Sequence, residues 1–191
     1  WSSFDIHQST EIINYTKKGI GGIHLIWGSY TSKDTKELSK KIYQNSTLLP
    51  FIAIDYEGGS VYIHQTHGFL NIPSNMALAK VDDYQKIEKL FYLAGVDLKK
   101  VGINTVFAPT IDVNTEEQNP IINVRSFGND KELVLKLSNA VIQGLNSAGV
   151  INVVKHFPGH GMSKTDPHHQ ITYTDIDAIK LYETHIYPFK K

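Results

Sequence analysis

Residues 48–59 read LLPFIAIDYEGG. The apolar run from Leu48 to Ile54 is short and rich in isoleucine and aromatic character, which predicts a buried strand. It stops abruptly. Asp55 follows Ile54 directly, Glu57 comes two residues later, and Gly58-Gly59 supplies a tight turn. Two more stretches repeat this arrangement. INTVFA at 103–108 runs through Pro109 to Asp112, and VINVV at 150–154 runs into Lys155-His156. A further apolar segment, GIHLIW, occupies 22–27.

Helical patterns separate these strands. They cover 10–18 with Gly19 as a stop, 33–45 with Leu38 and Ile42 on one side, 81–100, and 131–147 behind the N-cap candidate Asp130. A further helix is predicted to begin at Asp177. Strands alternating with amphipathic helices predict an α/β fold with a parallel sheet. An eight-stranded barrel and an open doubly wound sheet both fit that pattern. Charge at the ends of several strands favours the barrel, whose mouth collects residues from many strand tips. Four strands are predicted, where a closed barrel has eight. The expectation is therefore a (β/α)8 TIM-barrel type with about half of the barrel present, residues 1–191 forming one partial domain.

Composition narrows the chemistry. Nineteen basic residues balance nineteen acidic ones, and no basic run points to nucleic acid. Cysteine is absent, which excludes disulfides, thiolate metal sites and cysteine nucleophiles. No apolar run approaches the roughly 18 residues of a membrane span.

Residues 153–169, VVKHFPGHGMSKTDPHH, hold four of the nine histidines. His156 and His160 stand four apart, but Pro158, Gly159 and Gly161 make a helix between them improbable. Lys155 would also oppose a cation, and no recognised ligand spacing is met, so a metal is not expected. Proton transfer is the alternative. Asp166 and His168 are two apart, so in an extended loop both side chains point the same way. A carboxylate holding one ring nitrogen makes histidine a competent general acid and base. A plain solvated loop fits the same residues.

The motifs KHFPGHG and D-x-H, with FIAIDYEGG, NIPSNMALA, FAPTIDV and NPIINVRSFGND in that order, resemble bacterial β-N-acetylglucosaminidases of glycoside hydrolase family 3. The resemblance spans essentially the whole chain. It implies a (β/α)8 barrel, retaining hydrolysis of terminal β-linked N-acetylglucosamine, peptidoglycan-derived fragments as a typical substrate, and no metal or organic cofactor. By position, His168 would be the acid and base and Asp166 would hold its ring. Asp55, Arg125, Lys155 and His156 would contact sugar hydroxyls. Read by themselves, Asp55 also suits a helix N-cap or a structural ion pair, and Arg125 a loop-bracing salt bridge. Glu57 reads as a partner for loop amides.

The chain departs from the family pattern in places. Ile63 stands where the family has a sugar-gripping arginine, and Pro167 where it has serine inside the Asp-His motif. These departures motivate an alternative, a noncatalytic saccharide-binding or scaffold protein. The family's first strand is expected to precede Trp1, and its nucleophilic aspartate to lie on a strand beyond Lys191. The 191 residues by themselves are therefore expected to be inactive and to self-associate through the incomplete barrel.

Overall fold

A computed structural model describes residues 1–26, 31–62, 68–166 and 174–191. Five parallel strands form the main sheet: β1 (Ser2–Phe4), β2 (Gly22–Leu25), β3 (Phe51–Ile54), β6 (Thr105–Val106) and β7 (Ile151–Asn152). They lie side by side in chain order. Between β3 and β6 come a two-stranded antiparallel ribbon, β4 (Tyr56–Gly58) and β5 (Val61–Tyr62), and two consecutive helices. Gly58 and Gly59, at φ +95° and +61°, make the turn of that ribbon.

The strand order decides between the two architectures. Right-handed crossovers put every connecting helix on one face when strands are added in a single direction, and on both faces only where the order reverses. Here it never reverses. The helices are α1 (Ser9–Lys17), α2 (Ser32–Asn45), α3 (Asn75–Val81), α4 (Tyr84–Lys100) and α5 (Lys131–Ser147). Register makes the sidedness explicit. Phe4, Leu25, Ile54 and Val106 are matched across the sheet and all are buried in the core shared with the helices. Ser3, His24, Ala53, Thr105 and Ile151 form the opposite row. That second face is partly uncovered. Trp1, Phe51, Ile151 and Val153 are each 41–61% exposed on it, with Trp1 stacked on Phe51. Helices on one face and an open lumen on the other form the wall of a (β/α)8-type barrel.

The structure revises several boundaries. β1 is a fifth strand beyond the four expected. Its Ser-Ser-Phe sequence carries too little apolar signal to be read as a strand. The helix expected over 81–100 begins at Tyr84, and a separate helix, α3, ends at Val81. Asp82 adopts a left-handed conformation (φ 44°), and Asp83 caps α4 by accepting a hydrogen bond from the Lys86 amide. The segment after Asp177 is not one continuous helix either. It comprises α6 (Ala178–Lys180), a π-helical turn at Leu181–His185 and α7 (Tyr187–Lys190). Pro188, lacking an amide hydrogen, limits regular helical bonding there.

α4 and α5 pack closely over the sheet. A Cβ on Gly144 would stand 2.3 Å from the Glu88 carbonyl, so only glycine permits the approach. No helix among the described residues is long and apolar enough to cross a membrane.

Candidate active site

The carboxyl ends of β2, β3, β6 and β7 bring their polar residues to one end of the lumen. Period-two alternation puts His24, Ala53 and Thr105 on the lumenal row, and continues it to Asp55 past β3 and Lys155 past β7. Lys155 is fixed by its backbone. The Ile111 amide donates to its carbonyl at 2.8 Å, and a parallel bridge joins Thr110 to Lys155.

From there a continuous hydrogen-bonded network crosses the strand tips. Lys155 Nζ lies 2.5 Å from Asp55 Oδ1 and 2.5 Å from Glu57 Oε1. Arg125 presents its fork to Glu57, Nε to Oε2 and Nη2 to Oε1, both at 2.8 Å. Arg125 Nη2 also reaches His156 Nε2 at 3.1 Å. His156 Nδ1 meets Asp112 Oδ2 at 2.6 Å. A guanidinium can only donate, so Nε2 accepts and the ring proton sits on Nδ1, pointing at Asp112. Asp112, fully buried, also accepts the backbone amides of His156 (3.2 Å) and His160 (2.5 Å). The loop that carries Lys155 and His156 is thus tied to the end of the neighbouring strand.

The electrostatics follow from the geometry. Burial works against ionisation of Asp55, but the hydrogen bond with His24 and the Lys155 charge outweigh it and bring its pKa down from 3.8 to about 2. Glu57 is lowered in the same way. Its burial is overcome by Arg125 and Lys155. Arg125 shows the converse: burial opposes its charge, and Glu57 raises its pKa. These groups are locked in their charged forms. Such a wall of fixed donors and acceptors can grip a polyol without rearranging its own protons.

Of the expected site residues, Asp55, Arg125, Lys155 and His156 converge. Asp55 is in an ion pair rather than a helix cap, and Arg125 does brace its loop. Glu57 differs from expectation, since its partners are Arg125 and Lys155 and not loop amides. Asp166 is half-buried, just after a turn in which the Ser163 hydroxyl bonds both the amide and the carbonyl of Thr165. His168, Pro167 and Ile63 lie outside the described residues. Two contributors escaped the sequence reading. Asp112 was visible as a strand-tip charge, but its role as anchor depends on a loop 44 residues away. His24 was visible only as the one polar residue inside GIHLIW.

Comparison with known proteins identifies the family. The chain is 37% identical over 159 residues to β-hexosaminidase A of Pseudoalteromonas piscicida, covering 81% of this chain and 27% of that protein. It superposes on the glycoside hydrolase family 3 β-N-acetylglucosaminidase of Paenibacillus sp. str. FPU-7 with a TM-score of 0.91 and 32% identity, covering 98% of this chain and 37% of the other. NagZ of Neisseria gonorrhoeae, solved in complex with N-trifluoroacetyl-D-glucosamine, gives 0.83 and 27%, covering 90% and 52%. The chain therefore spans about half, or less, of the length of these relatives. Residues 5–191 match the family described as glycosyl hydrolase family 3 N terminal domain, and the chain belongs to that family.

Proposed function

We propose that this chain supplies the sugar-binding wall and the acid/base pair of a retaining β-N-acetylhexosaminidase acting on terminal β-linked N-acetylglucosamine, peptidoglycan-derived saccharides included. The observation that carries the reading is the convergence of Asp55, Lys155, Arg125 and His156 in one bonded network at the strand tips. The names borne by the similar proteins support the same substrate class.

In this reading the network holds the nonreducing sugar. Asp55 accepts from ring hydroxyls, and Lys155 and Arg125 donate to them. A hydroxyl arriving at His156 Nε2 replaces Arg125 Nη2 as the donor. Asp166 orients His168, which gives its proton to the glycosidic oxygen as the bond to the anomeric carbon breaks. The electron pair of that bond leaves with the aglycone oxygen. An aspartate carboxylate bonds to the anomeric carbon in its place, and this nucleophile is assigned to a strand beyond Lys191. His168 then takes a proton from water, whose oxygen attacks the anomeric carbon and releases the aspartate.

The test uses the full-length protein and 4-nitrophenyl N-acetyl-β-D-glucosaminide, with the product anomer followed by NMR. His168→Ala is expected to lower kcat by about 10²–10⁴-fold with the melting temperature preserved. Near-normal turnover in that variant overturns the assigned role. Binding of N-acetylglucosamine by a wild-type protein that releases no product would shift the reading to the noncatalytic saccharide-binding alternative.

A further inference from the structure

His24 sits on the lumenal row, matched across the sheet with Ser3 and Ala53. Its Nε2 lies 3.2 Å from Asp55 Oδ2, and its Nδ1 lies 3.2 Å from the Ser3 hydroxyl. The ring meets Phe107 edge-on, with centroids 4.7 Å apart. Its side chain is only 16% exposed, beside an Asp55 that is 19% exposed. An imidazole this enclosed, with both nitrogens engaged, has a single orientation.

The contact matters because of how an aspartate moves. The last torsion of its side chain is soft and broad, so a carboxylate held at one oxygen can still turn about its own axis. Lys155 holds Oδ1 of Asp55. His24 holds the other oxygen. Two anchors on different oxygens fix the carboxylate plane, and with it the directions of the lone pairs left for a ligand. Because the carboxylate only accepts, Nε2 carries the proton, and Nδ1 is left to accept from Ser3. Ser3 thereby holds the ring from behind.

We propose that His24 is a positioning residue for saccharide recognition. By fixing Oδ2 it orients Asp55 toward adjacent hydroxyls at the nonreducing end of the sugar. The inference rests on the function proposed above and adds a determinant on β2 to it. His24 touches Asp55 rather than the substrate, so its removal is felt mainly in binding.

The experiment compares wild type, His24→Leu and His24→Gln in the full-length protein. It measures KM and kcat on 4-nitrophenyl N-acetyl-β-D-glucosaminide, together with N-acetylglucosamine affinity by calorimetry and thermal melting. Losing one hydrogen bond to a charged group, His24→Leu is expected to raise KM and weaken N-acetylglucosamine binding by about tenfold, with kcat within about threefold. His24→Gln keeps a donor and should recover KM to within about threefold of wild type. A lower melting temperature with unchanged KM and affinity in His24→Leu would make the histidine merely structural and overturn the proposal. If His24→Leu does not fold, Ser3→Ala takes its place, with KM expected to rise about threefold through a loosened ring. An unchanged KM there overturns the proposal as well. A wild-type protein that neither hydrolyses nor binds the sugar refutes the functional reading itself, and the positioning role falls with it. An active wild type with an indifferent His24 refutes only the latter.

Discussion

Lys155 and Asp55, one hundred residues apart in sequence, meet as an ion pair at 2.5 Å with their side chains less than one-fifth exposed. The same ammonium holds Glu57, whose side chain is 1% exposed. One cation thus bridges two carboxylates just past a single strand.

Removing that cation should be costly. Among the described residues, Lys155→Ala leaves Asp55 with only His24 and Glu57 with only Arg125 as close charged or imidazole partners, in a largely buried site. Breaking a buried pair on one side typically costs about 3–5 kcal/mol. Urea unfolding of the variant is expected to show a loss in that range. A loss below about 1 kcal/mol would mean that the pair behaves like a surface bridge.

The pH dependence of stability follows from the sign of the Asp55 shift. Its pKa is lower in the folded chain, about 2 against 3.8. The stability it contributes is therefore fully present above pH 3.8 and is lost as pH falls toward 2. Glu57 is shifted in the same direction and reinforces the trend. Melting curves of wild type and Asp55→Asn, recorded from pH 5 downward, should converge within this window. Parallel curves would contradict it.

Gly161→Ala should disturb the site without touching a charged group. A Cβ there would stand 2.0 Å from the carbonyl oxygen of Val113, the residue after Asp112. The clash pushes apart the two segments joined by the Asp112 bonds to His156 and His160. A loss of about 1–3 kcal/mol is expected by denaturant unfolding, along with weaker N-acetylglucosamine binding by calorimetry. Wild-type affinity and stability would show that the two segments move freely past each other.

The open lumenal face has its own consequence. Trp1, Phe51, Ile151 and Val153 expose apolar surface on the side of the sheet away from the helices. Produced alone, the 191-residue segment is expected to associate, as sedimentation would reveal. A monodisperse monomer with a single cooperative melt would refute this.

Much of this was legible beforehand, for identifiable reasons. α5 was bounded correctly because a strong 3.6-residue apolar pattern coincides with a true cap, the Asp130 carboxylate accepting the Glu132 amide. Asp55, Lys155 and His156 were expected at one end of the sheet because charges directly past apolar strands have one place to go there. Arg125 follows no strand and was expected only from the family resemblance. What was illegible depends on contacts distant in sequence. β1 is a strand because β2 lies beside it, not because Ser-Ser-Phe prefers to be one. The break at Asp82-Asp83 reflects local side-chain bonding that competes with an otherwise good helical pattern. Glu57 was assigned the wrong partners because nothing near it in sequence announces Arg125, 68 residues away.

Along the strand tips, carboxylate and cation alternate: Asp55, Lys155, Glu57, Arg125 and, through His156, Asp112. Each of the first four charges is met at contact distance by one of opposite sign. Asp112 is held by the His156 ring and two backbone amides, and little of this array faces bulk solvent. Dissolved ions screen such short, enclosed pairs weakly. An uncharged ligand that docks here releases no counterions and gains no long-range attraction. Its affinity should hardly change with ionic strength, whereas anions such as phosphate find no unbalanced cation to draw them in.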